Sequence, residues 1–182
     1  MFAKSALIIA VFSAALLATS PSFAQQPSSP PAAASNPLDA VPDKMPFDVP
    51  YGAPIPLERA EAVIKAAVAE AKKHDWKLNI AVVDSGGNLV AFQRMDGAQL
   101  ASIAISEHKA RTAANFRRET KAFENAIQLE NRNYVLTLDG VIASRGGIPL
   151  VDAGKLIGAI GCSGGTGSQD EVACKAGAAV IK

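Results

Sequence analysis

Apolar residues recur at helical spacing from Leu57 to His74, where Leu57, Ala60, Ile64, Ala67, Val68 and Ala71 fall on one stripe. Glu58, Arg59, Lys65 and Lys72 take the other side, and Pro56 suits the first turn. The pattern then changes period. Leu78–Val83 and Leu89–Arg94 read as strands around Asp84-Ser85-Gly86-Gly87-Asn88, a turn sequence, so they form a β-hairpin. Helical spacing returns from Ala98 to about Arg117 and again from Lys121 to Asn131. Val135–Leu138 and Val141–Ser144 are weaker strand candidates around Asp139-Gly140. A second hairpin turns at Asp152-Ala153-Gly154 and leads to a terminal helix, where Ser168 and Glu171 have capping-box spacing. The hairpins resemble each other, VVDSGGNLVAF against LVDAGKLIGAI. Helix, hairpin, helices, hairpin, helix predicts an α+β fold: an antiparallel sheet of two hairpins packed with helices.

Ahead of this domain, Lys4, an apolar run from Ala6 to Ala18 and small residues around Phe23 form a secretory signal, with cleavage expected after Ala24. Residues 25–50 are rich in Pro, Ser and Ala and read as a flexible lead. Residues 51–182 are then one domain, exported to a periplasm or secreted, with no membrane attachment after cleavage. Losing Lys4 leaves 17 basic against 17 acidic residues, a balance that argues against nucleic acid as a partner. Cys162 and Cys174 fit burial as small apolar side chains, and whether they pair stays open.

The glycines from Gly158 to Gly167 suggest a phosphate cradle, but no second parallel strand and no ribose-binding acid follow them. The nucleotide reading fails on architecture. The middle helix is more informative. At about 100° per residue, Ile103, Glu107, Ala110, Ala114 and Arg117 share one stripe, while Ile105, His108, Thr112 and Phe116 share another. A second apolar stripe predicts cover by a neighbouring subunit, a helix or a flat ligand. His108 lies on it and is the candidate metal ligand; the alternative is a histidine packed at an interface. Met95, Tyr51, Tyr134 and the cysteines are the other donors. Arg94, Lys109 and Arg111, with Arg117 and Arg118, are candidates to pair with the carboxylates of haem or another small anionic ligand. No triad, spaced metal motif or isolated acid pair marks a catalytic centre, so no catalytic residue is assigned.

From residue 50 onward the chain resembles the GlcG/HbpS-like family, whose domain is labelled haem-degrading. VDSGGNLVAFQRMDGA, KARTAANFRR and GGIPLVDAGKLIGAIGCSGG carry the resemblance. It implies a profilin-like sandwich that assembles into a homo-oligomer larger than a dimer, and an exported haem-binding protein in haem handling or oxidative-stress protection. Haem degradation follows from the resemblance only. A cofactor-free or small-molecule-binding enzyme using the same pocket, or an oligomeric accessory protein without its own ligand, are the alternatives.

Overall fold

The computed structural model describes residues 39–45 and 47–181; the expected export signal and most of the lead lie outside them. The ordered elements are α1 (Leu57–Lys73), β1 (Asn79–Asp84), β2 (Leu89–Arg94), α2 (Ser102–Asn115), α3 (Lys121–Gln128), β3 (Gly147–Asp152), β4 (Lys155–Ser163) and α4 (Gly167–Ala178). Both hairpins form, and they join through β1 and β4 into one antiparallel sheet of order β2-β1-β4-β3. The fold class is therefore α+β, as the pattern predicts.

Two cores lie on opposite faces of this sheet. Alternation along β1 sends Ile80 and Val82 to one face, where α1 and α4 pack with Val63, Ile64, Ala67 and Cys174. Ala81 and Val83 point the other way, against Ala110, Ala113 and Ala114 of α2. Asp84 accepts from the backbone N–H of Gly86 at 2.8 Å and of Asn88 at 2.9 Å, which closes the first turn. Asp152 instead binds Arg59 of α1 at 2.6 Å.

The rotation of α2 differs from the expected stripes. Its buried face runs through Ser102, Ser106, Lys109, Ala110 and Ala113, about a quarter turn from either stripe. The cause is close approach. Gly147 and Gly161 are paired neighbours in β3 and β4. A Cβ at Gly161 would stand 2.6 Å from the Ala110 nitrogen, and one at Gly147 would stand 2.9 Å from the Lys109 carbonyl carbon. Only small side chains fit a helix held that near a sheet, so volume rather than apolarity selects the face.

Three further expectations are corrected. Val135–Leu138 is a 3-10 turn, Asn133–Thr137, and Val141–Ser144 is not a strand. The Thr112 hydroxyl donates to the Gly140 carbonyl and accepts from the Ile142 N–H, taking backbone groups that a strand partner would need. The capping box of α4 is Thr166 with Gln169, because Thr166 is the extended residue before the helix. Cys162 and Cys174 are buried, but as a disulfide that ties β4 to α4 across Cα atoms 5.7 Å apart.

Candidate functional site

Helix α2 carries three of the residues singled out from sequence, and the structure separates them. Lys109 turns inward and is 1% exposed. Its Nζ donates to Asp170 Oδ2 at 2.8 Å and to the Cys162 carbonyl at 3.1 Å, joining α2, α4 and β4 at one buried point. It presents no cation to the surface, and the expectation of a carboxylate-binding lysine gives way to a buried ion pair. His108 and Arg111 lie toward the outward side with exposed Ala104 and Asn115. The His108 ring is half-buried and has no hydrogen bond among the described residues, while Arg111 pairs with Glu107 at 2.9 Å.

The end of α2 has a different use. Arg117 takes the left-handed conformation at φ 55°, donates to the Val49 carbonyl at 3.0 Å and stacks over Tyr51. Tyr51 donates its hydroxyl to the Asn115 carbonyl at 2.8 Å. Arg118 lies 3.4 Å from the centre of the Phe47 ring and 4.6 Å from that of Phe123. The segment from Phe47 to Ile55 is thus strapped across the domain, and packing starts before residue 51. Arg117 and Arg118 hold this strap, which gives the basic FRR motif a structural use.

Arg94, at the end of edge strand β2, borders a groove on the α1 side of the sheet. Edge strand β2 and helix α1 diverge there and leave two adjoining cavities that share Gln93. One, of about 490 Å3, is bounded by Leu57, Glu61, Ile64, Ala91 and Phe92. The other, of about 330 Å3, is bounded by Val68, Lys72, Lys77, Arg94, Met95 and Asp96. Both volumes are typical of small-molecule sites. The apolar wall continues the core, since Ile64, Val68 and Met95 belong to it. Lys77 is paired with Asp75, whereas Lys72 and Arg94 meet no carboxylate among the described residues.

The geometry is therefore a sheet with two adjoining cavities along its edge strand, an outward imidazole and a strapped helix end. Family comparison gives this arrangement its place. Residues 55–179 match the family described as haem degrading protein HbpS-like. The chain belongs to the HbpS-like family. Its relatives include protein GlcG of Escherichia coli strain K12, 44% identical over 106 residues that span 58% of this chain and 78% of GlcG. Among solved structures, an HbpS double mutant from Streptomyces reticuli superposes with a TM-score of 0.66 at 29% identity, over 86% of this chain and 99% of that one. A PduOC complex with heme superposes with a TM-score of 0.64 at 26% identity, over 71% of this chain and 96% of that one.

The groove of this HbpS-like chain suits a flat apolar body with acidic side chains. Ile64, Val68, Ala91 and Met95 supply the wall, and Lys72 and Arg94 border one end. Haem has that chemistry, and these residues fit it. His108 belongs to the helix on the other face, so a single subunit does not bring it to the groove. Tyr51 is committed to the strap and both cysteines to their disulfide. Among the described residues no cluster of three His, Cys, Asp or Glu side chains is placed to hold a metal, and no helix is long and apolar enough to cross a membrane. Lys72 and Lys77 were missed in sequence because charges near a helix end read as solvated surface. Only the position of edge strand β2 gives them a role.

Proposed function

We propose that the protein is an exported haem-binding protein that holds the macrocycle along the α1–β2 groove. The observation that carries the reading is a ligand-sized groove with an apolar floor and a polar rim that includes two unpaired cations, in a family described by haem. Arg94 and Lys72 bind the propionates by charge-assisted hydrogen bonds. Bound haem supplies an iron centre that needs axial donors. Met95 is the donor nearest the groove. His108, with a free ring on an outward helix face, is the donor offered by an adjoining copy in a homo-oligomer larger than a dimer. The leader sequence supports export, and so does the disulfide, which suits an oxidising compartment.

Haem titration of protein recovered from its native host tests the reading. The intact mass is expected to begin at Gln25, and a Soret band is expected to saturate. Arg94→Ala and Lys72→Ala each weaken binding about tenfold, the equivalent of about 1.4 kcal/mol, and leave the band position unchanged. His108→Ala shifts the Soret and visible bands. Absence of a saturable Soret band in the wild type would sink haem binding, and an unchanged His108→Ala spectrum would remove the histidine as donor. A retained Met1 would remove export.

A further inference from the structure

Arg118 is the cation that leaves a buried nitrogen unpartnered among the described residues. No carboxylate pairs with it and no acceptor meets it among the described residues, and its Nε is buried without a partner. An unmatched buried donor costs free energy, and more when it is charged. Its surroundings explain why nothing in the chain satisfies it. Phe47 lies 3.4 Å and Phe123 4.6 Å from the guanidinium carbon, with Phe116 at 6.0 Å. The rings interact with the guanidinium as a cation held against aromatic faces. Its N–H donors lie in the guanidinium plane and require an acceptor there.

The space beside it is a separate cavity of about 190 Å3, between α3 and the 3-10 turn. Ala122, Phe123, Ala126, Val135 and Leu138 line it, with Tyr134 at its border. Glu130 also borders it, but is turned to Arg132 at 2.8 Å. Burial pushes the Arg118 guanidinium down from its ordinary value, while Tyr134 acts in the opposite direction. A half-buried cation with a buried, unpartnered nitrogen and no counter-charge among the described residues is an anion receptor in waiting. The cavity has room for roughly six waters, too little for a tetrapyrrole and enough for a small acid. Apart from Arg118, Tyr134 and the mutually paired Glu130 and Arg132, its walls are apolar, so they favour a carboxylate with a short hydrocarbon tail over phosphate or sulfate.

We infer that the pocket at Arg118 binds small aliphatic monocarboxylates, independently of the α1–β2 groove. The guanidinium edge takes the carboxylate in a forked pair, and the tail lies against Ala122, Ala126 and Val135. The Tyr134 hydroxyl is the second polar contact. Phe47 belongs to the strap, so the pocket is complete only while residues 47–50 are docked.

Isothermal titration of the full mature chain with butyrate tests the site. Saturable binding below about 10 mM is expected, with sulfate and phosphate silent at that level. Arg118→Gln should abolish it. Because that change also releases Phe47, Ala126→Phe is the second variant: it fills the cavity without touching the arginine and should equally abolish binding. Arg94→Ala should leave butyrate binding unchanged, which separates this site from the haem groove. The carboxylate bound at Arg118 could instead be a propionate of haem, and competition distinguishes the two sources. If saturating haem displaces butyrate, the independent acid site is wrong. No butyrate binding by the folded wild type, or undiminished binding by Ala126→Phe, overturns the proposal as well.

Discussion

Lys109 illustrates what one residue can decide. Its ammonium and the Asp170 carboxylate are 2% and 3% exposed, and Gly146 packs over them so closely that a Cβ there would meet Asp170 Cβ at 2.8 Å. Burial pushes the Asp170 carboxyl above its ordinary value, and Lys109 opposes this by Coulomb attraction and a hydrogen bond. The sign follows. A raised acid adds stability below its ordinary value of 3.8 and loses it as pH rises through the folded value, so ionised Asp170 is tolerated only because Lys109 faces it. Lys109→Met should destabilise the domain by about 3–5 kcal/mol at pH 7, because a charge is left buried alone. The loss should shrink as pH falls and Asp170 takes up a proton. Lys109→Met with Asp170→Leu should recover most of it. Urea midpoints of the two variants at pH 7 and pH 4 check this; equal losses at both pH values would contradict it.

At the scale of elements, α3, α4 and the loop before β3 meet through carboxylates rather than apolar contacts. Glu124 accepts from both the backbone N–H and the Nε of Arg145, each at 2.7 Å. Glu171 accepts from Lys175 at 2.6 Å and Lys121 at 3.0 Å. Burial works to raise Glu171, but the hydrogen bonds from Lys175 and Lys121 outweigh it, so the carboxyl lies below its ordinary 4.5. Glu124 is lowered in the same way, by Arg145 against burial. Lowered acids contribute stability that is present above about pH 4.5 and lost as pH falls through their folded values. The urea midpoint should therefore drop between pH 5 and pH 3, and Glu171→Gln should flatten that drop while lowering the midpoint at pH 7. An unaltered acid limb in Glu171→Gln would show that the network has no energetic role. Little of this was legible in sequence. Periodicity finds α1 because its buried stripe is apolar, Ala60 through Ala71. It misplaces α2 because serines, alanines and a lysine face the sheet over Gly147 and Gly161. The hairpins were legible through their turn residues. The groove was not, since Lys72 and Arg94 come together only once β2 stands at the edge beside α1.

For the whole molecule, the surface left uncovered is telling. Leu100 is 70% exposed just before α2, and Ile105 on the outward stripe of that helix is half-buried. Leu129 and Leu136 are 77% and 71% exposed on the α3 side. Apolar side chains grouped in this way mark association surfaces. On the proposed homo-oligomer, Ile105→Glu should release smaller species and leave the circular dichroism of the domain intact. Phe116, on the same sequence stripe, is not an equivalent probe, because it packs edge-on against Phe123 at 5.2 Å and would unsettle α3. Light scattering reads the result, and a monomeric wild type would overturn the assembly.

The strand order has a consequence in time. β1 and β3 never touch; each meets β4, which is made after both. Among the described helices, α1 is made first and rests on α4, which is made last. A nascent chain that has released everything up to Asp152 owns one hairpin, three helices and no way to close its sheet. Such long-range pairing delays folding until synthesis is almost complete. The proposed export would gain from that delay, since a translocation pore that accepts only unfolded polypeptide would receive a chain that has not yet been able to fold.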